Sequence, residues 1–92
     1  MSELCHADIL ITGLVQGVFF RAFTSRIAKS LNIKGYAHNM PKGAVEVVAE
    51  GHRNDIEELV MKLHAGPPEA LVENIETKWS DFTGQFTTFE IK

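Results

Sequence analysis

Residues 7–31 read ADILITGLVQGVFFRAFTSRIAKSL and pass from a strand pattern through a glycine loop into a helix pattern. Apolar residues at positions 7, 9 and 11 alternate with Asp8 and Thr12, which predicts a strand with one buried face. Gly13 and Gly17 then mark a loop, because glycine is the usual residue where the chain turns. The helix that follows has an apolar stripe formed by Phe20, Phe23, Ile27 and Leu31.

The middle of the chain carries a hairpin signal. Strands are predicted at residues 33–40 and 45–50, where apolar and polar side chains alternate in the second run. Pro41 and Gly43 predict the turn between them, because proline fixes φ at a turn position and glycine supplies a positive φ at the exit.

A second helix and the last strand patterns complete the chain. Asn54 and Glu57 have the spacing of a capping-box pair that begins the helix, and the run Gly66-Pro67-Pro68 ends it. A strand is predicted at residues 72–79, and a short last strand near residues 87–91.

The two helices and the four longer strands predict the order β-α-β-β-α-β within a single domain, residues 1–92. Each amphipathic helix has one stripe to bury, so we expect an α+β, ferredoxin-like two-layer sandwich. Its sheet would have four antiparallel strands, with two helices on one face. In such a sheet the strand after the first helix can lie beside the first strand, which would bring Asn39 towards the glycine loop. The topology hosts many activities and does not name one.

The composition narrows the class of partner. The 92 residues carry 9 lysines and arginines against 12 acidic residues, so we expect no nucleic-acid partner, which would require many basic side chains. No apolar run has the roughly 20 residues of a membrane span, so we expect no membrane partner either. A single cysteine, Cys5, is typical of a reducing compartment, and a cytoplasmic monomer is the expected form. An anion would have to be bound at a local site.

The loop before the first helix is the best candidate for that site. Gly17 allows the backbone to approach a ligand closely, and the N–H groups at a helix start carry partial positive charge. Arg21 adds a planar guanidinium that can bind two phosphate oxygens at once. Glycine loops before helices are common, and arginine in a first helical turn is usually solvated, so the loop alone leaves both readings open.

Two segments together resemble the signatures of the acylphosphatase family. Gly13–Arg21 reads GLVQGVFFR and is similar to the first signature of that family. Gly35–Asn39 reads GYAHN and, with Gly43, Val45 and Gly51 after it, resembles the second signature in residues and spacing. The resemblance extends over essentially the whole chain.

The resemblance implies hydrolysis of small acyl phosphates to a carboxylate and inorganic phosphate, with no metal and no other cofactor. It implies that Arg21 binds the phosphoryl oxygens and that Asn39 orients the attacking water. It also implies a phosphate-binding loop whose N–H groups come from Leu14, Val15, Gln16, Gly17, Val18 and Phe19.

His38 departs from the family pattern, which usually has a long basic or polar side chain before the asparagine. Strand alternation places His38 and Asn39 on opposite faces, so we interpret His38 as non-catalytic. Two other hypotheses stay open at this point. One is a relative specific for carbamoyl phosphate, and the other is a non-catalytic ferredoxin-like module that binds an anion or a partner protein.

Overall fold

The computed structural model of the protein describes residues 3–92, so Met1 and Ser2 of the predicted domain lie outside the described residues. Neither helix within residues 3–92 is long and apolar enough to cross a membrane. The elements are β1 (Leu4–Leu14), α1 (Phe20–Ser30), β2 (Lys34–Asn39), a 3₁₀ turn (Pro41–Gly43), β3 (Val45–His52), α2 (Arg53–Ala65), β4 (Leu71–Asp81) and β5 (Phe89–Ile91).

The sheet confirms the two-layer α+β prediction but differs in its strand count and order. Its strand order is β4-β1-β3-β2-β5, with antiparallel pairs throughout except for the parallel pair of β2 and β5. The predicted four-stranded antiparallel sheet is therefore a five-stranded mixed sheet. The last segment joins the open edge of β2, where the N–H of Gly35 donates to the Thr88 carbonyl at 3.0 Å.

The expectation that β2 lies beside β1 is wrong. The short turn after Asn39 folds β3 back onto β2 as a hairpin, and β1 then pairs with the other side of β3. Asn39 is nevertheless brought near the glycine loop, because α1, which follows that loop, packs against β2 and β5. The helix, and not a strand pair, connects the two predicted segments in space.

The core lies between the sheet and the two helices. Side chains that alternate along β1 and β3 are buried on this face, as the period of two predicts. The helices add apolar side chains such as Phe20, Ile56 and Leu59, which are at most 1% exposed. Each of these contributes about 1.5–3 kcal/mol through burial of its apolar surface. Fully buried members of this core include Ala7, Ile9, Ile11, Ala28, Ala37, Val45, Val47, Ala49, Ile56, Leu59 and Leu63.

The start of α2 differs from the predicted capping box. The helix begins at Arg53, and its cap residue is His52, whose side chain makes no capping hydrogen bond. Asn54 therefore lies inside the first turn and is not the cap residue. The N–H of Arg53 donates to the carbonyl of Glu3 at 2.9 Å, so the residue that precedes β1 supplies an acceptor for this helix terminus.

The face of the sheet opposite the helices carries a buried carboxylate, Glu50, which is 1% exposed. It accepts hydrogen bonds from the N–H and hydroxyl of Thr83 at 2.9 and 2.7 Å and from the N–H of Gly84 at 3.0 Å. His6 Nδ1 lies 2.6 Å from the same carboxylate. These contacts attach the loop that precedes β5 to the centre of the sheet.

Burial acts to raise the pKa of Glu50, but the hydrogen bonds from Thr83, His6 and Gly84 outweigh it and hold the pKa below its ordinary value of 4.5. A carboxyl group with a lowered pKa in the folded state stabilises the fold above the pKa of the unfolded chain. That stabilisation is lost as the pH falls from about 4.5 through the lower folded-state pKa.

Glu50→Gln is therefore expected to lower the free energy of unfolding at pH 7 by about 1–3 kcal/mol, because the amide cannot replace all the acceptor contacts. The variant should also lose less stability than wild type when the pH is lowered below about 4.5. Urea unfolding at a series of pH values measures both effects. Glu57→Gln, at an exposed position on α2, serves as the control. If the free energies of unfolding of Glu50→Gln and wild type changed with pH in parallel, the role of the Glu50 carboxylate in acid sensitivity would be contradicted.

Candidate active site

The loop between β1 and α1 presents unpaired main-chain donors. Gly17 and Phe19 have left-handed backbone conformations, with φ of 75° and 63°. Within residues 3–92, no oxygen accepts a hydrogen bond from the N–H groups of residues 15–19. Phe19 is the cap residue of α1 and provides no side-chain cap. The loop therefore offers several N–H groups, next to a helix start, to an anion.

A cavity of about 320 Å³ opens beside this loop. The loop, the first turn of α1, the end of β2 and β5 all contribute to it, and its lining is Val15, Gly17, Phe19, Phe20, Arg21, Ala22, Asn39 and Ile91. Arg21 is the one ionisable side chain among these eight. Its positive charge is therefore not offset by a carboxylate in the lining, which favours an anionic ligand.

The structure brings five of the predicted site residues to this cavity and leaves three off its lining. Those on the lining are Val15, Gly17, Phe19, Arg21 and Asn39. Leu14 is the last residue of β1, pairs with Leu71 and is 56% exposed. Val18 lines a neighbouring groove. The side chain of Gln16 points to the β2–β3 turn.

Gln16 has a role that its place in the loop did not suggest. Its Nε2 donates to the carbonyls of Met40 and Ala44, each at 2.8 Å. These two carbonyls flank the turn that follows Asn39, and the N–H of Met40 donates to the Ala44 carbonyl at 2.8 Å. Gln16 therefore fixes the position of the loop relative to the end of β2, where Asn39 lies. A long amide side chain beside a glycine was the only sequence signal for this contact.

Arg21 is held by the residue that follows the last strand, a contact that the sequence patterns do not indicate. Its Nη1 donates to the main-chain oxygen of Lys92 at 2.7 Å. The N–H of Lys92 in turn donates to the carbonyl of Ala37 in β2 at 2.8 Å. A guanidinium has five N–H donors, so this contact orients Arg21 and leaves others for a ligand.

His38 lies on the other face of the sheet, as strand alternation predicts. Its Nε2 is 2.6 Å from Glu46 Oε1, and its ring packs edge-on to Tyr36 at 5.4 Å between centroids. Among the residues that the structure describes, no three His, Cys, Asp or Glu side chains are grouped as a metal site would need.

The cavity beside the loop combines main-chain donors, one guanidinium and one amide. This set is suited to a small phosphorylated ligand.

Comparison with known proteins gives consistent matches over nearly the whole chain. The acylphosphatase family model matches residues 7–91. The acylphosphatase of Methanococcoides burtonii is 50% identical over 90 residues, covering 98% of this chain and 94% of that protein. The crystal structure of acylphosphatase from Bacillus subtilis matches with a TM-score of 0.92 and 31% identity, over 98% of this chain and 99% of that one. Full-length HypF in a phosphate- and nucleotide-bound form matches with a TM-score of 0.89 and 29% identity, over 100% of this chain and 12% of that one.

Proposed function

This chain belongs to the acylphosphatase family and hydrolyses the carboxyl–phosphate anhydride of small acyl phosphates, and we propose that it does so in the cavity beside the Val15–Phe19 loop. The observation that carries the proposal is the convergence of three groups at this cavity. They are the unpaired N–H groups of the loop, the guanidinium of Arg21 and the amide of Asn39.

The loop and Arg21 bind the phosphoryl group. Its oxygens accept hydrogen bonds from the N–H groups of residues 15–19 and from the free donors of Arg21. In the transition state negative charge spreads over the equatorial phosphoryl oxygens, and fixed donors stabilise it with little reorganisation. The contact of Arg21 with Lys92 holds the guanidinium in place before the substrate binds.

Asn39 orients the attacking water. Its amide oxygen accepts a hydrogen bond from the water, which is thereby placed in line with the bond to be broken. The water oxygen bonds to phosphorus as the bond from phosphorus to the carboxyl oxygen breaks, and the carboxylate leaves with that electron pair. An amide does not remove a proton at neutral pH, so the proton of the water passes to a phosphoryl oxygen. The products are a carboxylate and dihydrogen phosphate.

Metal independence is part of the proposal and gives its most direct test. The purified protein is expected to hydrolyse acetyl phosphate and benzoyl phosphate at the same rate in excess EDTA as in buffer with magnesium. Release of inorganic phosphate measures the rate. Loss of turnover in EDTA that returns on adding a divalent cation would contradict the proposed chemistry. Binding of phosphate without hydrolysis of any acyl phosphate would favour the non-catalytic module.

Carbamoyl phosphate is the informative additional substrate. A relative specific for carbamoyl phosphate is the second enzyme candidate, because the family resemblance of the sequence does not determine which acyl phosphate is hydrolysed. A much higher kcat/KM for carbamoyl phosphate than for benzoyl phosphate would favour it.

A cytoplasmic monomer is the proposed form of the enzyme. All groups that the proposed mechanism uses come from one chain. Cys5 is 6% exposed in the core, and burial raises the pKa of its thiol, so it is a poor nucleophile and a poor partner for a disulfide. Sedimentation equilibrium should return the mass of one chain, and a dimer would contradict this.

A further inference from the structure

A second cavity, of about 340 Å³, adjoins the first along the side of α1. We call it the α1 groove. Its lining is Val18, Phe19, Ala22, Phe23, Arg26, Pro67, Pro68 and Glu69. Six of these eight residues are apolar, and Arg26 and Glu69 carry opposite charges. The volume lies near the lower end of the roughly 300–1,000 Å³ range of small-molecule sites. The groove thus suits a small, uncharged, apolar group.

The α1 groove is continuous with the first cavity, the one lined by the Val15–Phe19 loop, Arg21 and Asn39, which we call the phosphate cavity. Phe19 and Ala22 line both cavities. Ala22 and Arg26 are four residues apart on α1 and so lie on one side of the helix, about 6 Å from each other along its axis. The groove therefore leads from the position of the phosphate along α1 towards Arg26.

Phe19 stands between the two cavities in an unusual conformation. Its side chain is 80% exposed, and its φ of 63° and ψ of 26° are left-handed. A bulky residue rarely adopts this conformation, which glycine and asparagine tolerate better. Burial in the core does not account for a phenylalanine here, because the ring remains largely exposed. Strained residues of this kind are concentrated at functional sites.

The opposite wall of the α1 groove is already formed. Pro67 and Pro68 follow α2, and the N–H of Ala70 donates to the Pro67 carbonyl at 3.0 Å, which closes a turn. Gly66 has a φ of 68°, and a Cβ there would lie 3.4 Å from the ring of Phe20. The wall is thus fixed by two prolines and by close packing against α1, so little ordering is needed when a ligand binds.

We infer that the α1 groove binds the acyl substituent of the substrate, and that Phe19 favours branched, cyclic or aromatic apolar acyl groups over acetyl or carbamoyl. This inference rests on the proposed function of the phosphate cavity. In an acyl phosphate a single oxygen separates phosphorus from the carbonyl carbon. The substituent must therefore lie against a wall of the phosphate cavity, and Phe19 provides an apolar wall that continues into the α1 groove.

The test compares acetyl phosphate with cyclohexanecarbonyl phosphate. The carboxylates that leave from these two substrates are similarly basic. The ratio of kcat/KM for the cyclohexane substrate to kcat/KM for acetyl phosphate therefore reports binding of the acyl group. Wild type is expected to favour the cyclohexane substrate by about tenfold or more, mainly through KM. Phe19→Asn keeps a residue that tolerates positive φ but removes the ring, and should bring the ratio close to one. Pro68→Asp, which places a carboxylate on the opposite wall, should lower the ratio as well.

Phe82→Asn is the matched control, because Phe82 is 42% exposed and lines neither cavity. Its selectivity ratio should equal that of wild type. A wild-type ratio near one, or an equal loss for both substrates in Phe19→Asn, would overturn the inference and leave the proposed function intact. Failure of wild type to hydrolyse any acyl phosphate would instead overturn the proposed function, and the inference with it.

Discussion

Arg21→Ala is expected to lower kcat/KM for acetyl phosphate by about a thousandfold, equivalent to about 4 kcal/mol of transition-state stabilisation. Arg21 is the one ionisable side chain among the residues that line the phosphate cavity. Its removal leaves the N–H groups of the loop as the remaining donors in the proposed site. Initial rates of phosphate release measure the effect, and circular dichroism establishes that the variant is folded.

Two further variants separate charge from geometry at this position. Arg21→Lys keeps the positive charge but loses the planar fork and the main-chain contact with Lys92, so its rate should lie between those of wild type and Arg21→Ala. Lys29→Ala removes a cation from the same helix but outside both cavities, and should leave the rate unchanged. A folded Arg21→Ala variant within tenfold of the wild-type rate would show that the site is assigned to the wrong residue.

Asn39→Ala is expected to lower kcat by about a hundredfold while KM changes little, because the variant still binds phosphate but no longer aligns the water. Competitive inhibition by inorganic phosphate supplies an independent measure of binding. Its inhibition constant should stay close to the wild-type value.

Two further variants test this role of Asn39: Asn39→Asp introduces a charge, and Asn74→Ala is a control at a remote asparagine. The carboxylate of Asn39→Asp would lie close to the phosphoryl group and repel it, so this variant should weaken inhibition by phosphate where Asn39→Ala does not. Asn74→Ala, at an exposed position on β4, should behave as wild type. If Asn39→Ala weakens phosphate inhibition as strongly as it lowers kcat, then Asn39 binds phosphate and does not orient water.

Local patterns in the sequence were sufficient to predict most of the fold. Each strand or helix pattern is contained in one segment of the sequence. The alternation along β1 and β3 and the apolar stripes of the two helices therefore identify the side chains that are buried. The position of β5 was not accessible in this way. It has three residues, and its place in the sheet depends on pairing with β2, more than fifty positions earlier in the chain. The start of α2 was misplaced by about two residues, and the acceptor for its first N–H, the Glu3 carbonyl, lies far away in the sequence.

The proximity of Arg21 and Asn39 was predicted, but the way in which the fold brings them together was predicted wrongly. Arg21 and Asn39 do line one cavity, but through the packing of α1 over β2 and not through adjacent strands. The two hydrogen bonds of Gln16 and the contact of Arg21 with Lys92 were not predicted. Both link segments that are far apart in sequence, and neither leaves a periodic signal.

In the proposed site, the contact of Arg21 with Lys92, the residue after β5, makes the position of the guanidinium depend on the shortest strand of the sheet. β5 has three residues, lies at an edge and has one neighbouring strand, so we expect it to open locally at a lower free energy than the central strands. Detachment of β5 would release the guanidinium while the helices and the other four strands keep their packing. We therefore expect inactivation by denaturant to precede global unfolding, as a local opening at one sheet edge.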